Sequence, residues 1–141
     1  MTVCIAGVGA YVAYKQHFLA KEKFKLDLFE KRFAVFIGAR KFLTEVKATG
    51  NVKISPDLYS YRASIGEATF LFEQDMVDYL ELINRKSVDC YGKEQGLEGV
   101  PVGEQRTRLV NEKSELLEWL IDQLPQLKVK FSPYLKFHTW K

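Results

Sequence analysis

The chain opens on fourteen residues without a charge, MTVCIAGVGAYVAY, and then turns basic and periodic. Lys15, Gln16 and His17 come next, followed by a short apolar triplet, Phe18, Leu19 and Ala20. From Lys21 to Lys47 the apolar residues Leu26, Phe29, Phe33, Phe36, Ile37, Leu43 and Val46 recur at three- and four-residue intervals. That spacing predicts an amphipathic helix with this stripe turned inward. No proline interrupts it, so one helix is expected to run from the uncharged start to the stop at Thr49, Gly50 and Asn51.

Local punctuation predicts the remaining elements. Ser55, Pro56 and Asp57 are a hydroxyl cap, a first-turn proline and a dipole-favoured acid, hence a helix start. Leu58, Tyr61, Ile65 and Phe72 give that helix an inward side, with an interruption near Gly66. A further helix starts at Gln74 or Asp75, carries Met76, Leu80, Ile83 and Val88 on one side, and fades by Gly92. Gly96, Gly99, Pro101 and Gly103 then make a surface loop. The last long helix begins near Glu104, presents Leu109, Leu116, Leu117, Leu120, Ile121 and Leu124, and is bent or ended by Pro125. In the tail, Leu127, Val129 and Phe131 alternate with polar residues as a strand would, yet no partner strand is visible elsewhere. A broken helix docking Phe131, Tyr134, Leu135 and Phe137 on the bundle is therefore expected. The predicted fold is all-α: a long N-terminal helix, in which a membrane segment continues into an amphipathic helix, packed with two to four further helices as an elongated bundle.

Composition narrows the class. With 141 residues, 47% hydrophobic and 28% charged, the chain fits one globular domain plus an appended segment, and is neither collagen-like nor disordered. Cys4 and Cys90 are isolated, so the spacing indicates neither a zinc site nor a disulfide framework. The net charge of +3 makes no case for nucleic acid by itself. Its distribution matters more: residues 15–50 hold nine basic and four acidic side chains, directly behind the uncharged segment.

Fourteen helical residues span about 21 Å, short of the ~30 Å hydrocarbon core. If Lys15 snorkels, the segment extends through Ala20 and reaches about 30 Å. Residues 1–20 are accordingly expected to be a single-pass anchor in the inner (cytoplasmic) membrane, with residues 21–141 as a cytosolic helical bundle. Lys15, Lys21, Lys23 and Lys25 lie just behind the anchor with nothing basic before it, so they sit at the membrane surface and orient the bundle inward. A cleaved secretory signal has the opposite charge order. Val3, Ile5, Gly7 and Gly9 suggest a dinucleotide-binding strand and turn, but the third glycine position falls on Val12. A core helix of a soluble domain is the plainer alternative. Ala6, Gly9, Ala10 and Ala13 share one helical face, a candidate for anchor self-association against a reading as ordinary filler.

Catalytic templates are missing. The sequence has no GxSxG, HExxH, phosphate loop or EF-hand loop, and neither His17 nor His138 has a placed partner. Asp75 with Asp78 and Glu115 with Glu118 are i, i+3 pairs without the accompanying Glu-His pair of di-iron bundles, and read as solvated faces. Arg40 falls on the apolar stripe of the first helix, which predicts a buried ionic network with Glu67 and Asp78. No cofactor, metal or small-molecule substrate is indicated, and no enzymatic role is expected. Partners are expected to be the membrane and a protein or a second copy of the chain; nucleic acid is disfavoured because the Phe residues between the lysines belong to the apolar stripe.

The segments KFKLDLFEKRFAVF, FLFEQDMVDYL, LLEWLIDQLP and FSPYLKF together resemble a group of small uncharacterised bacterial proteins. Those have an N-terminal membrane helix, a K-L-x-L-F-[DE]-[KR]-R-[FY] segment and a helical cytosolic part. The resemblance covers nearly the whole chain and implies the membrane arrangement, without an activity to carry over. The expected role is a docking or regulatory module. The alternative is a soluble helical component of a mobile-element or phage-defence system that binds nucleic acid or an enzyme.

Overall fold

The computed structural model describes the backbone of residues 2–136 and the side chains of residues 7–136. Four helices make it up: α1 (Thr2–Thr49), α2 (Pro56–Leu71), α3 (Gln74–Gly96) and α4 (Glu104–Leu135). No strand occurs among the described residues. The expected all-α bundle around a long first helix is what the chain forms.

Helix ends have local causes. Gly50 takes a left-handed φ of 64° and its N–H closes on the Val46 carbonyl at 2.9 Å, a cap that a side-chain-bearing residue would strain. Ser55 Oγ accepts from the Leu58 N–H at 3.2 Å with Pro56 opening the helix behind it, and the same hydroxyl donates to Glu45 Oε2 at 2.6 Å, tying α2 to α1. Helix α2 continues past Gly66 and α3 past Gly92, so neither glycine breaks its helix. From the first turn of α4, Arg106 donates to the Leu97 and Val100 carbonyls of the preceding loop. Helix α4 runs through Pro125 and Pro133 instead of breaking. Both prolines are exposed.

Neighbouring helices alternate in direction. Arg32 and Phe42 of α1 meet Leu71 and Tyr61 of α2 in reverse order, as do Tyr79 and Lys93 of α3 with Gln123 and Glu112 of α4. Packing of α4 back on α1, where Phe36 meets Phe131, closes an up-down-up-down bundle. At its centre Phe42 stacks on Tyr61 with ring centroids 5.1 Å apart, and the Tyr61 hydroxyl donates to the Leu80 carbonyl at 2.5 Å. Towards the end from which α1 projects, Phe131 takes Phe36 and Phe72 edge-on at 5.3 and 5.4 Å. The buried Ser87 and Gln123 side chains are satisfied, by the Ile83 carbonyl and by Tyr79 and Trp119.

The buried side of α1 is the expected stripe only in part: Leu43 and Val46 are buried as expected and Phe36 packs at the core's margin. Val35, Ala39, Phe42, Leu43 and Val46 enter the core, while Leu26 and Phe33 remain exposed and Phe29, Phe36 and Ile37 are only half-buried. The helix has two apolar sides, and a periodic pattern does not say which of them meets the bundle. This also corrects the predicted ionic network. Arg40 lies on the outer side, Glu67 and Asp78 are exposed as well, and Asp78 accepts from Gln74 of its own helix. Water solvates all three, so no buried partner is needed.

Candidate functional site

The bundle covers only part of α1. A helix of 48 residues is about 72 Å long, whereas its packing on the other helices starts near Leu28. Every side chain from Gly7 to Lys21 is exposed, including Val8, Tyr11, Val12, Tyr14, Phe18 and Leu19. Phe24 and Leu26 follow, also exposed. The segment is uncovered for a sequence reason: α2 is 16 residues long against the 48 of α1, so it reaches back only to Arg32.

Lys15, Lys21 and Lys23 are exposed on this half of the helix, and Lys25, half-buried, lies 3.6 Å from Glu22 of the same helix. Lys15 also stands over the Tyr11 ring, 5.9 Å from its centroid. Gly9, Ala10 and Ala13 pack against nothing in the bundle; the side chain of Ala6 lies outside the described residues, as do Cys4, Phe137 and His138. No helix among the described residues is long and apolar enough to cross a membrane, so a complete transmembrane span lacks support. The cause is the polar triplet Lys15, Gln16 and His17, fourteen residues in.

Where the bare helix enters the bundle, Arg32 forms a clamp. Its Nε donates to the Leu71 carbonyl at 2.8 Å, and its guanidinium faces the rings of Tyr134 and Phe72 at 5.3 and 5.8 Å. Burial lowers the Arg32 pKa, against opposing pulls from Tyr134 and Glu73, and the group keeps its charge. Sequence reading passed over this residue. Its one signal was a basic side chain on the same side of α1 as Val35 and Ala39.

Elsewhere, α3 and α4 are joined by reciprocal ion pairs, Lys93 with Glu112 and Lys113 with Glu94. Hydrogen bonding to Lys113 holds the Glu94 carboxyl below the usual carboxylate range. Beside these pairs is an open groove of about 960 Å³, lined by Lys86, Val88, Lys93, Glu115 and Trp119 among others, with Lys86 over the indole ring. Its charges are mixed and converge on no single point. Cys90 is buried, and burial pushes its thiol pKa up, away from nucleophilic use. Among the described residues no three His, Cys, Asp or Glu side chains form a metal-holding group. Compared with models of protein families, with curated proteins and with solved structures, the chain matches none.

Proposed function

We propose that the chain is a membrane-anchored helical docking or regulatory module. Residues 1–20 enter the inner membrane from the cytosolic side, Lys15, Lys21, Lys23 and Lys25 lie among the anionic headgroups, and the bundle is held beyond them. The observation that carries this reading is the apolar start of α1, whose side chains from Gly7 to Lys21 are all exposed among the described residues. Lipid would take up Val8, Tyr11, Val12 and Tyr14, and each lysine near an anionic leaflet adds about 1 kcal/mol. Snorkelling of Lys15 lets a short apolar run engage the hydrocarbon more deeply than its length implies.

Flotation of the full chain with vesicles tests the proposal. The chain should float with phosphatidylcholine vesicles containing phosphatidylglycerol, and part of it should stay bound in high salt through its apolar residues. A chain that stays at the bottom of the gradient with every vesicle composition, and dissolves without detergent, overturns the anchor. Salt-sensitive binding to a polynucleotide without vesicle binding would put the soluble nucleic-acid reading in its place.

A further inference from the structure

One hollow of the bundle gathers positive charge around an apolar floor. It lies where α4 packs on α1, has a volume of about 410 Å³, and is lined by Phe36 and Arg40 of α1 and by Lys128, Ser132, Leu135 and Lys136 of α4. The pairing of the two helices brings the cations together. Phe36 meets Phe131 and Arg32 faces Tyr134, so the helices run in opposite directions. Arg40, four residues beyond Phe36, and Lys128, three before Phe131, therefore stand at nearly the same level, about 6 and 4.5 Å past that contact. Both are exposed, whereas Phe36, Ser132 and Leu135 are half-buried. No Asp or Glu stands three or four residues from Arg40 or from Lys128, and no acid lines the hollow. Glu45 and Asp57 share a separate hollow with Arg40 where α1 meets α2, and Glu45 there accepts from Ser55. Lys136 is engaged within the chain, while Arg40 and Lys128 are in no ion pair among the described residues. Two like charges on facing helices repel, and a cleft lined by one sign draws counter-charge towards it.

We propose that this hollow binds a small phosphate monoester with a compact apolar group, its phosphate held between Arg40 and Lys128 and its apolar group resting on Phe36 and Leu135. A guanidinium takes two phosphate oxygens in its planar fork, an ammonium serves as a point charge, and the Ser132 hydroxyl is a further donor. The volume falls at the lower end of the range for small-molecule sites. The hollow does not depend on the anchor. With residues 1–20 in a leaflet, the headgroups nearest Ala20 lie about 30 Å from Arg40 along the unbroken α1, so a soluble ester fits the site better than a lipid.

Isothermal titration of the full chain in a non-ionic detergent with phenyl phosphate tests the site. Phenyl phosphate should bind about ten times more tightly, or better, than inorganic phosphate, which lacks the ring, and than benzyl alcohol, which lacks the charge. Arg40→Gln and Lys128→Gln should each weaken its binding about tenfold or more. Lys41→Gln, at an exposed cation outside the hollow, should leave it unchanged. Neither Arg40→Gln nor Lys128→Gln should lower the urea midpoint, because both side chains are exposed, so their loss of binding reports the site and not the fold. No binding of phenyl phosphate, equal binding of inorganic phosphate, or binding indifferent to Arg40→Gln and Lys128→Gln overturns the site. Flotation with vesicles containing phosphatidic acid separates the two sources of phosphate. The variant carrying both glutamines should float as the parent does; if it loses flotation while phenyl phosphate fails to bind, the cations belong to a bilayer-facing surface and the hollow is no small-ligand site. A chain that binds phenyl phosphate but floats with no vesicle keeps the site and removes the anchor, and flotation without phenyl phosphate binding does the reverse.

Discussion

Arg32 donates its Nε–H to the Leu71 carbonyl oxygen at 2.8 Å, so a side chain of α1 closes the C-terminal end of α2. The carbonyls of a final helical turn have no partner within their helix, and a cation there also meets the negative end of the dipole. Arg32→Ala removes this bond and the contacts with Phe72 and Tyr134, and should cost about 2–4 kcal/mol in urea unfolding. Arg32→Lys should recover only part of that, because an ammonium lacks the planar fork.

Phe131 is fully buried between Phe36 and Phe72. Phe131→Ala is expected to lower unfolding free energy by about 3–5 kcal/mol through lost transfer energy and the cavity left behind. Phe24→Ala, on the bare half of α1, should change it by no more than about 0.5 kcal/mol. Urea titrations of the two variants side by side measure how far the core reaches along the helix.

Burial pushes the Tyr79 phenol up to about 12, and raises Tyr61 as well, with Tyr79 adding to its shift. Below pH ~10 both the folded and the unfolded chain hold these protons, and stability from this source is complete. As the pH rises past ~10, the unfolded chain releases a proton that the folded chain keeps, so stability falls until the folded form also ionises. The urea midpoint should therefore drop between pH 8 and pH 11.5, and drop less in Tyr79→Phe.

Pro125 sits inside α4 on an exposed side. Replacing it with alanine restores the N–H that bonds to the Ile121 carbonyl and removes the ring clash. Proline inside a helix costs about 3 kcal/mol relative to alanine, so Pro125→Ala should stabilise the chain by about 1–3 kcal/mol. Thermal unfolding followed by circular dichroism reads the gain.

Neutralising Lys15, Lys21, Lys23 and Lys25 together with glutamine should weaken binding to anionic vesicles by on the order of a hundredfold or more, at roughly 1 kcal/mol each. The urea midpoint should stay put when only Lys15, Lys21 and Lys23 are replaced, since all three are exposed. A vesicle titration at two salt concentrations checks it. The parent's salt dependence should be lost in the variant.

Helix starts were the most legible part of the fold, because Ser55-Pro56-Asp57 and the Glu104 region announce themselves through residues acting on their own backbone. Interruptions were harder. Gly66, Gly92 and Pro125 weaken a helix locally by amounts that tertiary packing overrides, and all three are passed without a break. The inward side of α1 was legible at Leu43 and Val46 but misplaced before them, because the side carrying Leu26, Phe29 and Phe33 is as apolar as the one carrying Val35 and Ala39. With two such sides on one helix, the buried one is chosen by what packs there, which lies between 19 residues further on, as for Phe42 and Tyr61, and 95, as for Phe36 and Phe131. The same ambiguity put Arg40 into an imagined core and hid Arg32, whose partner is a backbone carbonyl that no sequence pattern marks.

Between Thr2 and Thr49 the first helix has no hinge. Whatever holds its outer end also sets the compass bearing of the other three helices. Since each residue turns the helix by about 100°, gaining or losing a single residue near Ala20 would swing the whole cluster sideways about the long axis. The distance from the outer end to the cluster would change by only ~1.5 Å, whereas the side of the cluster turned to a given direction would be a different one. Spacing along this rod thus governs aim far more than distance.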